Sequence, residues 1–476
     1  MQSWSTVWVN KEPANGWAVR KPPMMTSRKS VTSLNQRLAD VPVFYGWIVV
    51  AIVFVTMGIG VNVRTAFSLL YPAILEEFGW DRATTAAAFT VGFIFAGAMS
   101  PILGRLMDRV DPRYLISASA LCVSAGLVLS TYATVPWHIY MTLGVLVVGA
   151  GIMLTYVGHS MFLPMWFEKR RGLAVGLAFS GVGVGSIILM PLIQEIITED
   201  GWRAACWVMA GMLLILVLPL NLVFQRKSPD VLGLKPDGES STRSSKLQSY
   251  DPSSAIVDIE WANTEWSLAK AAKTPEFWWM SLASSCALYV WYAVQIHQTK
   301  YLVEVGFSTL EASFALGLVA FAGVAGQIFL GHLSDRIGRE WVWSISVSGF
   351  ALCYLLLLFM EFHPSPIILY IMVIVQGGLG YASATVFGAM PADLFQGKRY
   401  GEIFGVFSML ALVGGGIGPW LTGYLYDVSG SYQSGFWLAF ALCILSIISV
   451  WMAAPRKRRL VAGQAEKRAA LETVKI

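Results

Sequence analysis

Twelve apolar stretches, each near the ~20 residues a helix needs to cross a ~30 Å hydrocarbon core, run through residues 44–454. Nothing else in the chain constrains its fold as tightly, because a segment in lipid must satisfy its backbone hydrogen bonds internally, and a helix does so alone. The expected spans are 44–74, 83–105, 113–133, 137–166, 171–197, 203–225, 277–303, 310–332, 341–361, 365–392, 401–426 and 433–454. With 56% hydrophobic residues, 13% charged residues and 44 glycines among 476, the chain is too apolar for a string of soluble domains. The glycines instead suit close helix contacts in a bilayer.

Six spans precede a break rich in Ser, Pro, Asp and Lys, and six follow it. The expected organisation is a tail (1–43), an N-terminal half (44–225), a central loop (226–276), a C-terminal half (277–454) and a second tail (455–476). The loop ends in WSLAKAAKTPEFW, which is expected as a short amphipathic helix on the membrane surface. All but four of the 34 Lys and Arg (Arg64, Arg82, Arg203 and Lys300) fall on one side of this topology. The positive-inside rule then makes both termini and the central loop cytoplasmic, in a cell (inner or plasma) membrane. The acidic residues Glu76, Glu77, Asp81, Glu199 and Asp200 fall opposite. Residues 1–43 are basic without an apolar core, so they read as neither signal peptide nor span, and Trp4, Trp8 and Trp17 within them have no account.

Several function classes are excluded on the same evidence. The five cysteines lie inside apolar runs without metal-ligand spacing and read as small buried hydrophobes. GVGVGS lacks the strand and lysine of a phosphate cradle. No nucleophile–base pair or metal cluster is present in the pattern, so no enzyme, cofactor, metal site or nucleic-acid partner is expected.

Sliding the chain by the 227 residues that separate Asp108 from Asp335 superposes FGWDRATTAAAFTVGFIFAGAMSPILGRLMDR on VGFSTLEASFALGLVAFAGVAGQIFLGHLSDR without a gap. Glu77 meets Glu304, Gly79 meets Gly306, Gly104 meets Gly331, and Asp108-Arg109 meets Asp335-Arg336. Two homologous halves are what a carrier that rocks about a midplane site requires. In each copy a glycine is expected at a tight helix end. The following Asp is expected to cap a helix or pair with arginine across the halves, as a latch made of Gly104, Asp108, Arg109, Gly331, Asp335 and Arg336. Simple anchoring by the positive-inside rule is the alternative.

At these residues the chain resembles the major facilitator superfamily, whose loop between the second and third helices reads G-x-L-[A/S]-D-R-x-G-R/K-R/K. The second copy fits; the first departs at Met107 and Asp111. FYGWIVV (44–50), FGW (78–80), WFEKRRGLAVGLAFSGVGVG (166–185) and EIFGVFSMLALVGGGIGPWLTGYLYDVSGSY (402–432) are similar to the monocarboxylate-transporter-like and oxalate/formate-antiporter-like branch, in particular its bacterial members. The resemblance covers about residues 44–455. It implies an all-α membrane protein of twelve transmembrane helices in two pseudo-symmetric six-helix halves, the major facilitator fold. It also implies a secondary carrier of small organic acids.

Arg64 is the most informative single residue, since an ionisable group within a span is costly and usually marks a substrate or ion pathway. Snorkelling to the outer headgroups is the alternative. The resemblance implies a substrate carboxylate at this helix 1 position, and a guanidinium fork can hold one bidentately. Relatives carry an arginine in helix 8 where this chain has Gln327, and some add an aspartate where it has Gly323. No Asp or Glu stands in the middle of a span, which leaves His159 and His297 as groups that titrate near neutral pH. A hydrogen-bonded core role is the alternative for both.

The 227-residue shift sends Arg64 to Trp291 and Thr65 to Tyr292. Pseudo-symmetry thus adds Trp291 and Tyr292, for which facing lipid is the alternative, to Arg64, His297 and Gln327 as the expected substrate-binding residues, facing a small-molecule carboxylate, with a proton as candidate co-substrate. The competing expectation is an efflux carrier for a hydrophobic metabolite or drug. A channel or a non-transporting receptor would need neither paired latches nor rocking halves.

Overall fold

Each long apolar run is helical in the computed structural model, which describes residues 43–80, 82–238 and 255–474. The tail before Val43, Asp81 and the middle of the central loop lie outside the described residues, as do the expectations that fall on them. The spans are α1 (Tyr45–Thr65), α2 (Arg82–Arg109), α3 (Pro112–Ser130), α4 (Pro136–Met165), α5 (Arg171–Asp200) and α6 (Trp202–Phe224), then α7 (Pro275–Glu304), α8 (Thr309–Ile337), α9 (Arg339–Met360), α10 (Pro366–Leu394), α11 (Tyr400–Ser429) and α12 (Gln433–Ala453). Among the described residues, eleven helices are long and apolar enough to cross a membrane. The 30-residue α7 completes the twelve although its last third carries Gln295, His297, Gln298, Thr299 and Lys300. All five cysteines are unpaired, and four of them are buried.

Local chemistry sets the ends. Pro112, Pro136, Pro275 and Pro366 open their helices at positions where a missing N–H loses nothing. Ser308 and Glu311 cap α8 reciprocally. After α1 the chain bends at Ala66 and continues as a helix over Phe67–Phe78, which Gly79 ends in the left-handed conformation. The repeat-related Gly79 and Gly306 both have positive φ, 63° and 107°, so their coincidence in the repeat is a backbone requirement.

Within each half α1 runs along α5 and α7 along α11; between the halves α2 runs along α11 and α5 along α8. These two inter-half seams are glycine against glycine. A Cβ on Gly104 would run into the Gly401 carbonyl, and one on Gly172 into that of Gly331. This corrects the expectation that Gly104 and Gly331 sit at helix ends. Both lie inside helices that continue to Arg109 and Ile337, where they permit close crossing.

The aromatic motifs also meet. Phe44 and Trp47 pack on Phe167 with ring centroids 5.7 and 4.9 Å apart, and Tyr45 lies 5.8 Å from Trp166, which pins the start of α1 to the loop before α5. The described parts of the central segment, up to Gly238 and from Ala255, are folded onto the protein. Asp237 accepts hydrogen bonds from the Glu168 and Lys169 amides at 2.8 Å. Of the stretch expected as a surface-lying amphipathic helix, Leu268–Ala271 forms one short turn and the residues from Pro275 open α7, while Trp266 packs edge-on against Phe395 at 5.0 Å. Burial of that indole against protein replaces burial in the headgroups. Arg458, beyond α12, clamps this segment through Asp258 and Glu276.

Candidate functional site

A cavity of about 610 Å³ lies between the halves. Its lining reaches past Arg64 to Ser68 and Tyr71 on one half and to Thr299 on the other, toward the end of the molecule away from the α2–α3 and α8–α9 loops. Arg64, Trp291, Tyr292 and Gln327 all line it. Arg64 is its one charged side chain among the described residues; no Asp, Glu, His or Lys joins it.

The setting of Arg64 follows from its position in the last turn of α1, where the negative end of the helix dipole favours a cation. Its guanidinium carbon sits 4.4 Å from the Phe93 ring centroid and 5.9 Å from that of Phe89. No hydrogen bond or ion pair takes up its N–H donors among the described residues, which leaves the fork for a ligand. Phe93 in turn meets Tyr292 of the other half edge-on at 5.6 Å, so one aromatic links the cation to both halves. Trp291 packs on Tyr381 at 4.2 Å, and Tyr156 packs on Phe179.

Gln327 is 2% exposed and its amide oxygen has no hydrogen-bond donor among the described residues. At Gly323 a Cβ would come within 2.7 Å of the Tyr381 ring, so that ring occupies the space another side chain would need. His297 is the correction. It does not line the cavity; Nε2–H donates to the Pro419 carbonyl of α11 at 2.9 Å, and Tyr432 lies 3.5 Å from Nδ1. Its neighbours Gln295, Ile296 and Thr299 take the cavity-facing positions of α7 instead. His159 is fully buried outside the cavity, with Nδ1–H donating to the Thr155 carbonyl at 2.9 Å.

At the opposite end the repeated aspartates bind across the halves. Asp108 accepts from the Gly401 and Glu402 amides at 2.7 and 2.8 Å, the first turn of α11. Asp335 accepts from the Gly172 and Leu173 amides at 2.8 and 2.9 Å, the first turn of α5. Each carboxylate thus satisfies two of the free N–H groups at a helix start and sits at its positive dipole end. The expected arginine partners are different residues. Arg109 and Arg336 are exposed and no ion pair joins either among the described residues. Arg339 pairs with Asp335 at 2.8 Å and with Asp393 at 2.8 Å, and Asp393 also pairs with Arg171. Near Asp108 the corresponding contacts are an exposed Arg105–Glu402 pair at 3.0 Å and the Lys227 ammonium on the Asp108 carbonyl at 2.8 Å.

This arrangement of two six-helix halves has known counterparts. The sequence matches the Major Facilitator Superfamily over residues 48–328 and 299–475. The chain belongs to that superfamily. It is 25% identical over 473 residues to monocarboxylate transporter 12 of Homo sapiens, covering 94% of this chain and 87% of the relative. It is 26% identical over 404 residues to monocarboxylate transporter 13 of Rattus norvegicus, covering 84% and 87%. Among solved structures it is similar to the superfamily transporter FucP in its outward conformation (TM-score 0.61, 16% identity, 87% of this chain and 99% of that one). A double-tryptophan variant of XylE gives a TM-score of 0.65 at 14% identity, covering 88% and 97%. These structures carry the fold alone. The protein is a multi-pass membrane transporter that resembles monocarboxylate transporters, and its relatives are transporters, not enzymes.

Proposed function

We propose that this protein is a secondary carrier that moves small organic acids of the monocarboxylate type across the cell (inner or plasma) membrane by alternating access. The observation that carries this is Arg64, a lone cation in an otherwise neutral, aromatic cavity, with its in-plane donors uncommitted among the described residues. An unpaired charge in such surroundings is expensive, and a carboxylate is the partner that relieves it with bidentate geometry. The monocarboxylate transporters to which the chain is similar support the same substrate class.

With both termini cytoplasmic, the capped Asp108 and Asp335 are latches that hold the cytoplasmic side shut, and the cavity belongs to the outward-open state. Rocking to the inward state breaks four amide–carboxylate bonds across the seams. Because no Asp, Glu or His side chain lines the cavity among the described residues, a co-transported proton would ride on the substrate acid. The aromatic lining and the neutral Gln327 favour one rival, export of a hydrophobic metabolite or drug.

The test is uptake into proteoliposomes of labelled mono- and dicarboxylates, with and without an inward proton gradient, comparing wild type with Arg64→Gln. Saturable uptake of an acid that the folded variant loses supports the reading. Equal uptake by both, or no acid taken up, overturns it in favour of the exporter.

A further inference from the structure

The lining of the cavity is layered along the helix axes. At 1.5 Å per residue, Arg64 lies roughly 28 Å from the latch-side start of α1, while Gln327 and Ser284 lie roughly 14–15 Å from the latch-side ends of α8 and α7. Trp291 and Tyr292 fall nearer the Arg64 level, and Tyr381 falls between the two levels. A charged layer is therefore separated from a neutral polar layer by rings. The deep layer is built of uncommitted groups: Gln327 is 2% exposed with a donor-less amide oxygen, and Ser284 is fully buried with a hydroxyl that has no partner among the described residues. Both line the cavity. Buried polar groups without partners are uncommon, and each is a place where a ligand's polar group gains a hydrogen bond at little competing cost.

Resting on the carboxylate reading above, we infer that the preferred substrate is an aryl monocarboxylate carrying a neutral hydroxyl at the end away from its carboxylate. Three constraints meet in that description. The cavity, at about 610 Å³, is in the range that encloses drug-sized ligands and is far larger than a three-carbon acid fills. Its middle layer is Trp291, Tyr292 and Tyr381, which stack on a flat ring and leave a short aliphatic acid poorly packed. The deep layer admits no second charge. Gln327 is neutral, and the space beside Gly323 is occupied by the Tyr381 ring, so a distal carboxylate would be buried with no cation. A hydroxyl both donates and accepts, so it pairs with either end of the Gln327 amide and with Ser284.

The experiment is competition against labelled 3-(4-hydroxyphenyl)propionate bound to the purified full-length protein in nanodiscs. The competitors are 3-phenylpropionate, propionate and 3-(4-carboxyphenyl)propionate. The expected order is hydroxyaryl acid, then phenyl acid about tenfold weaker, then propionate at least another tenfold weaker, with the dicarboxylate not competing; each tenfold step corresponds to one hydrogen bond or one packed ring. In Gln327→Leu, a near-isosteric change, the preference for hydroxyl over phenyl falls to within about twofold while 3-phenylpropionate still binds. Propionate competing as well as the aryl acids overturns this inference and leaves the carboxylate reading standing. So does a hydroxyl preference unchanged in Gln327→Leu. If no acid binds at any size, the carboxylate reading fails and this inference falls with it.

Discussion

Asp108 and Asp335 perform one task in two surroundings. Both lend two oxygens to two amides at the start of a helix in the other half, with distances that agree within 0.1 Å between copies. Beyond the carboxylates the copies diverge. Around Asp335 the charges are buried, with Arg339 at 2% and Arg171 at 1% side-chain exposure, and Asp393 binds both. Around Asp108 the neighbouring Arg105 is 61% exposed. The repeat supplies the capping geometry, and burial decides how much each copy depends on its charges. A buried ion network adds little when intact but is severely missed when one member is removed.

The largest effect is expected at Asp393. Changing it to Ala leaves Arg171 without its carboxylate and Arg339 with one of two, both in the interior. The expected loss is about 3–5 kcal/mol, read as a fall in the midpoint of chemical unfolding in detergent. A loss under about 1 kcal/mol would remove the distinction between the copies.

Asp335→Asn and Asp108→Asn come next. Each keeps an acceptor but forfeits charge-assisted bonding to the amides, about 1.5–3 kcal/mol. The second-copy variant should open the latch more, because Arg339 also loses part of its counter-charge. Spin-label distances across the two seams would report the open fraction, and equal opening in the two variants breaks the comparison.

Smaller still is a pH effect at the tail clamp. The Trp261 amide, and then Arg458, hold the Asp258 carboxyl below the usual carboxylate range. A depressed pKa contributes above the unfolded value of about 3.9 and is lost as pH falls through the folded value. Protease protection of residues 455–474 should therefore hold at neutral pH and decline only below about pH 4. A decline centred near pH 6 would point to a different clamp. Arg105→Ala is the smallest: the pair is exposed and worth about 0–1 kcal/mol, so stability and latch opening should match wild type within error.

Much of the architecture is written in local patterns. Apolar length marks the spans because a bilayer leaves a helix few alternatives, and the repeat pairs Gly79 with Gly306, whose shared positive φ only the structure reveals. Arg64 stood out because a charge in an apolar run is conspicuous, and pseudo-symmetry carried it to Trp291 and Tyr292, which share its cavity. Tyr156, Tyr381, Phe89 and Phe93 gave no such signal, since an aromatic residue in a span looks the same whether it faces lipid or a cavity. His297 sits one position beyond the cavity-lining Ile296, and a rotation of about 100° per residue turns it toward α11. The Arg171–Asp393–Arg339 network joins three distant stretches of chain, and only the packing of α5, α9 and α10 brings them together.

The account stands most directly on Arg64 as the anchor for a carboxylate. Equilibrium binding of a labelled monocarboxylate to the purified wild type, Arg64→Lys and Arg64→Gln tests it, with thermal unfolding to confirm that each variant is folded. The expected result is a Kd raised about tenfold in Lys, which keeps the charge but not the fork, and at least a hundredfold in Gln. Equal affinity in all three would contradict the central claim and leave Arg64 as a group that only packs on Phe93.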